Sequence, residues 1–299
     1  QQVTVIEDPK DYDLILTLHE KIIGDKERIF PPGGIQLGGF NETFELGGRD
    51  FIVEDGKVIK VNLSYYPDLE EIPQEIFRLR HLKVLTIISE HTDPETLKGI
   101  SGSISEIPKD IDNLKNLQIL TIRLPEARAL PESLGNLKNL QRLKIEESSI
   151  ETLPESIGNL SSLMSLVIEK SNVTKLPESI GNLSNLKGIF LSDLQLEELP
   201  ERFGNLTNLR TVKILNSQLK RLSESFGNLS SLEKIIIKNS KLHALPDSFG
   251  NLSSLKELHI KNSELEALPE SFGDLSSLKH LEIVNSNLRT LPESFGKLH

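Results

Sequence analysis

The side chains able to do acid–base, metal or nucleophilic chemistry are few and scattered in this chain of 299 residues. It holds seven histidines and no cysteine, which removes thiolate nucleophiles, thiolate zinc sites and disulfide frameworks together. His259 and His280 fall at outward places of adjacent units of the repeat described below, but in different columns. No third ligand is evident beside them, so no metal site is expected. No phosphate-binding glycine loop, H-E-x-x-H helix, calcium loop or nucleophile elbow occurs. The glycines from Gly33 to Gly48 lack the strand-loop-helix setting that a phosphate cradle requires. Neither catalysis nor a cofactor is expected.

Charge narrows the partners. Lys and Arg total 34 against 44 Asp and Glu, a formal charge of −10, and the basic footprint that grips nucleic acid or an anionic membrane is disfavoured. No run of 18 apolar residues exists, so no membrane span is expected. Apolar residues make up 37% and aromatics 5%, without Trp, so the core must be aliphatic and dominated by Leu and Ile.

The elements that would position any site follow from a repeat. Leu117, Leu140, Leu163, Leu186, Leu209, Leu232, Leu255 and Leu278 follow at 23-residue steps, each opening L-x-x-L-x-I. Val58 and Leu82 open two irregular copies; the steps of 24 and 35 place a 12-residue insertion in the second, at about 89–106. Ten copies result. Within Leu163 to Asn185, Leu166 and Ile168 alternate with polar neighbours, which predicts a short half-buried strand. In Leu176-Pro177-Glu178-Ser179-Ile180-Gly181 the proline pre-sets φ for a first helical or 3-10 turn, and the glycine can close it in the left-handed conformation. Such a unit buries its apolar side only by stacking on neighbours. Strands at about 4.8 Å and return segments needing different room make the stack curve, with a concave strand face.

The pattern L-x-x-L-x-[LI]-x-x-[NSC]-x-L-x-x-L-P-x-x-[FI]-G-N-L resembles the 23-residue typical class of the leucine-rich repeat family, over roughly residues 51–299. The resemblance implies an α/β solenoid, a horseshoe with a parallel concave sheet and short 3-10 turns on the convex side. The family usually places Asn ninth, where its amide bonds backbone groups of adjacent coils in a ladder. Here Ser148, Ser171, Ser217, Ser240, Ser263 and Ser286 stand there, with Pro125 and Leu194 at two copies. One hydroxyl satisfies fewer groups than an amide, so a shorter ladder is expected, weakest around the third and sixth copies.

Residues 1–57 read as an N-terminal cap ahead of repeats filling 58–299. Asp8-Pro9 and the stripe Tyr12, Ile15, Leu18, Ile22, Ile23 predict a helix at about 9–23. The Gly-rich segment predicts turns and short strands, and Phe51 to Ile59 a hairpin with an Asp55-Gly56 turn. The chain starts at Gln1, as a processed protein or a cut piece would, and stops at His299 where an eleventh strand would begin. Truncation there is favoured over a partner, or end-to-end self-association, covering the uncapped last repeat. Five N-x-[ST] sequons, from Asn159 to Asn251, recur at one repeat place, too close for five glycans, and read as structural turns. An exported prokaryotic protein is preferred, with a cytoplasmic one as the alternative.

The binding face is where the sequence speaks to function. Places two, three, five, seven and eight point outward. For the copies from Leu186 to Leu255 they hold Lys187, Arg210, Lys213, Lys234, Lys238, Lys256 and Lys261 against Asp193, Glu233 and Glu257, so 7 − 3 = +4 on an acidic chain. Glu132, Glu155, Glu178, Glu201, Glu224, Asp247, Glu270 and Glu293 stack on the return side. Apolar residues also stand outward, namely Val84, Ile88, Ile119, Leu124, Met164, Val167, Phe190, Leu215 and Ile236, where structure does not need them. Solubility and β-propensity are the plainer explanations of these lysines and apolar groups. The candidate face is Met164, Val167, Lys187, Phe190, Arg210, Lys213, Leu215, Lys234, Ile236, Lys238, Lys256, His259 and Lys261. It suits a non-enzymatic module that binds a protein or peptide, acidic with an apolar anchor. A sensor segment of a larger signalling protein or enzyme, and a structural cell-surface protein, are the alternatives; the insertion reads equally as a binding loop or a tolerated one.

Overall fold

The structure, a computed structural model, describes residues 42–44, 51–54, 57–63, 69–89 and 104–298. The period-2 stretch of each repeat is a strand: Leu166 and Ile168 are fully buried while Ser165, Val167 and Glu169 between and beside them are half-buried. Ten strands lie parallel in chain order in one open sheet: β3 (Lys57–Asn62), β4 (Val84–Ile88), β5 (Ile119–Arg123), β6 (Arg142–Ser148), β7 (Ser165–Ser171), β8 (Gly188–Leu194), β9 (Thr211–Ser217), β10 (Lys234–Lys238), β11 (Glu257–Lys261) and β12 (His280–Val284). β1 (Glu42–Phe44) and β2 (Phe51–Glu54) extend its N-terminal edge antiparallel, and β2 with β3 is the pairing expected of the hairpin. The helix expected at 9–23, most of the Gly-rich segment, the Asp55-Gly56 turn and residues 90–103 of the insertion lie outside the described residues. At the borders of the insertion the Ser89 N–H donates to the Arg123 carbonyl at 2.8 Å, and Ile104 is buried in the core.

The return side is made of 3-10 helices of five residues, such as Glu178–Asn182. Two details differ from the expectation. Pro177 is extended (φ −68°, ψ 152°) and precedes the helix, accepting the Ile180 N–H at 3.1 Å. The glycine is not left-handed; it is required by a close approach, since a Cβ on Gly181 would lie 2.2 Å from the Arg202 carbonyl oxygen of the next coil.

Alternate members of the acidic column, Glu132, Glu178, Glu224 and Glu270, are structural rather than merely solvated. A proline at the N-cap has no side chain to bond the first free N–H groups of the helix. The preceding coil supplies one: Glu178 accepts the backbone N–H groups of Glu201 (3.2 Å) and Arg202 (2.9 Å), and Glu224 those of Asp247 (3.2 Å) and Ser248 (3.0 Å). The Ser248 N–H bond holds the Glu224 carboxyl below the usual carboxylate range. Apart from Phe77 the described core is aliphatic in its first half, but Phe203, Phe226, Phe249 and Phe272 are buried and stack with Phe295 as near-parallel rings 6.0–6.3 Å apart. An aromatic spine therefore replaces the all-aliphatic core expected for the later coils.

Candidate functional site: the exposed sheet face

Alternation aims every second residue of each strand away from the core, and parallel pairing in register lines these residues up as columns. The central column runs Thr86, Thr121, Lys144, Val167, Phe190, Lys213, Ile236, His259, Glu282. Val167, Phe190 and Ile236 are half-buried on this face, as expected, and Met164 and Leu215 share that exposure. Leu124 is the exception: β5 ends at Arg123, and a turn closed by Ala127 N–H to Leu124 carbonyl (3.1 Å) brings the Leu124 side chain into the core, fully buried. The Lys213 ammonium nitrogen sits 4.4 Å from the Phe190 ring centre, a cation–π contact between adjacent strands.

The basic character of the face is reduced by pairing across coils. Lys234 bonds Glu257 at 2.6 Å, Lys256 bonds Glu233 at 2.8 Å, Lys261 bonds Glu282 at 2.5 Å, and Arg210 lies 3.7 Å from Glu233. Those lysines hold the Glu257 and Glu233 carboxyls below the usual range, and Lys261, aided by His259, draws Glu282 down to about 2. Lys187 and Lys238 make no ion pair with the described residues. Free positive charge thus gathers around Phe190 and Leu215, with Lys187 on the coil of Phe190 and Lys238 beside Leu215 in register. His259 is not free either, since its Nδ1 lies 2.9 Å from Glu282 Oε2.

The face is bordered by an amide ladder at place eight, one residue before the family's place. Asn216, Asn239, Asn262 and Asn285 all adopt positive φ (50–54°), where Asn is among the better-tolerated residues. Each of the last three donates its Nδ2 to the Oδ1 of the Asn before it, at 2.6, 2.6 and 2.9 Å, and Asn216 donates to Asp193 at 2.8 Å. The hydroxyls of Ser148, Ser171, Ser240 and Ser263 at place nine are buried and bond nothing among the described residues. The repeated Asn-Ser pair was the signal in the sequence. A second feature absent from the sequence analysis is Glu282, which joins His259 and His280 so that one ligand atom from each lies within 4.8 Å of the others.

Two family models match the repeats, one described as a leucine-rich repeat region over residues 178–266 and one as a BspA type leucine rich repeat region over 113–220. Among curated proteins none matches significantly. Solved structures do. The leucine-rich repeat domain of the type III effector XCV3220 (XopL) has a TM-score of 0.61 at 26% identity, over 81% of this chain and 73% of that one. The plant peptide hormone receptor RGFR1, in complex with RGF2, has a TM-score of 0.59 at 28% identity, over 76% of this chain and 36% of that one. The ectodomain of the receptor kinase GASSHO1/SCHENGEN3 from Arabidopsis thaliana, in complex with CASPARIAN STRIP INTEGRITY FACTOR 2, has a TM-score of 0.62 at 25% identity, over 83% of this chain and 30% of that one. The chain spans about a third of the length of these two receptors. Among the described residues no helix is long and apolar enough to cross a membrane. The repeated strand and 3-10 turn, the ordered parallel sheet and these matches agree: the chain belongs to the leucine-rich repeat family.

Proposed function

We propose that the exposed sheet face binds a protein or peptide without catalysing a reaction, and that the bound segment is acidic and seats an apolar side chain at Phe190. The observation that carries this is the central column from Val167 to Ile236, where apolar side chains remain half-buried around a lysine-capped aromatic ring. Exposed apolar groups rimmed by charge mark contact surfaces, and aromatic anchors dominate their energetics. Lys187 and Lys238, which no described carboxylate neutralises, supply attraction for an acidic segment. The receptors RGFR1 and GASSHO1/SCHENGEN3, solved with bound RGF2 and CASPARIAN STRIP INTEGRITY FACTOR 2, support the use of such a solenoid as a binding module.

Selection of a random peptide display library on the immobilised chain tests the proposal. Enriched peptides should pair acidic residues with one apolar side chain, and should be captured less by a Phe190→Ala chain that retains the parent circular dichroism. Enrichment of basic peptides, or equal capture by the variant, would overturn it.

A further inference from the structure

We propose that His259, His280 and Glu282 form a binding site for a divalent transition metal ion of the zinc class, on the last two strands of the sheet. The parallel register builds it from two columns: His259 pairs with Glu282 in the central column, while His280 pairs with Glu257 in the column beside it. The imidazoles of His259 and His280 lie 5.0 Å apart, ring centre to ring centre, tilted by 39°. Zinc bonds to nitrogen and oxygen of about 2.0–2.2 Å, arranged tetrahedrally, set ligand atoms about 3.3 Å apart. The His259 Nδ1 to Glu282 Oε2 distance of 2.9 Å and the 4.8 Å limit on the whole set bracket that spacing, so small side-chain rotations close the shell.

The surroundings are those of a supported ligand set. With His259 Nδ1 directed to the ion, its Nε2–H points towards Glu257 Oε2 at 3.6 Å, a carboxylate behind a ligating imidazole that fixes the tautomer and strengthens the donor. Glu257 is itself held by Lys234 at 2.6 Å. On the other side Lys261 bonds Glu282 Oε1 at 2.5 Å, leaving Oε2 for the metal. His259 is the most buried member, its side chain 17% exposed, and anchors the site, whereas His280 is exposed and can turn inward. Two imidazoles and one carboxylate select zinc, nickel or copper over calcium or magnesium, which need shells of oxygen. Three protein ligands leave one position for water or for a donor on a bound molecule.

Isothermal titration of the chelator-treated full chain with zinc chloride tests the site, with calcium chloride as the counter-probe. Saturable uptake of zinc and none of calcium is expected. His280→Ala and Glu282→Gln should each weaken it by roughly tenfold or more, and Glu257→Gln by a smaller factor, with unchanged circular dichroism. Nitrogen-detected NMR of the imidazoles should show His259 Nδ1 shifting on zinc addition. No saturable zinc uptake, uptake indifferent to both His280→Ala and Glu282→Gln, or calcium binding of similar strength would overturn the assignment.

Discussion

The side-chain amide of Asn239 donates to Asn216 on the coil before it, at 2.6 Å, and its carbonyl oxygen accepts from Asn262 on the coil after it, also at 2.6 Å. Its backbone sits at φ 54°. Asn239→Ala removes both bonds and forces alanine into the left-handed region, so a loss of about 1–3 kcal/mol is expected. Asn239→Gly loses the same bonds without the backbone strain and should be milder. Urea unfolding of the three chains decides, and an alanine variant as stable as the parent would show that the ladder holds nothing.

Gly250 and Gly188 form a matched pair. A Cβ on Gly250 would stand 2.0 Å from the Ser271 carbonyl oxygen, whereas one on Gly188 meets nothing within 4 Å. Gly250→Ala must therefore push the next coil away and should cost about 1–3 kcal/mol or more. Gly188→Ala, in a strand on the exposed face, should be neutral or stabilising. Thermal midpoints measured side by side check this, and similar shifts in both would contradict the close-approach explanation.

Acid should act on Glu147. Lys170, bonded to it at 2.9 Å, and Arg123 hold its carboxyl below the usual carboxylate range. A depressed folded pKa stabilises the fold at pH above the unfolded value, about 4.3, and the gain disappears as pH falls through that value towards the folded one. Glu147→Gln should accordingly be less stable than the parent at pH 7 and converge with it in acid. A stability gap that persists unchanged down to pH 3 would contradict the linkage.

The period and the alternation of Leu166 with Ile168 made the solenoid, the strands and the turns legible before any coordinates, because nearest-neighbour stacking leaves a repeated sequence one way to bury its leucines. The column of Val167 and Phe190 was legible for the same reason, since pairing in register follows from a constant repeat length. What escaped were contacts between one coil and the next. The glycine after Phe249 reads as a turn residue until the carbonyl of Ser271 is seen against it. Glu178 reads as surface charge until two N–H groups of the following coil are found on its carboxylate. Lys234 reads as a free cation until Glu257 is found against it, and Lys261 until Glu282 of the next copy is. Leu124 misleads because it lacks the left-handed backbone of the later copies at that place and instead opens a turn that carries its side chain into the core.

The binding face is tested most directly by the dissociation rate of a display-selected acidic peptide from the parent and Phe190→Ala chains. A packed central anchor acts mainly on the off-rate, whereas rim charges act on the on-rate. Dissociation should quicken roughly tenfold, equivalent to about 1.4 kcal/mol, while association changes little. Lys213→Glu, by contrast, should slow association at low salt, an effect that fades as salt rises. Identical dissociation from parent and Phe190→Ala would contradict a binding site centred on Phe190.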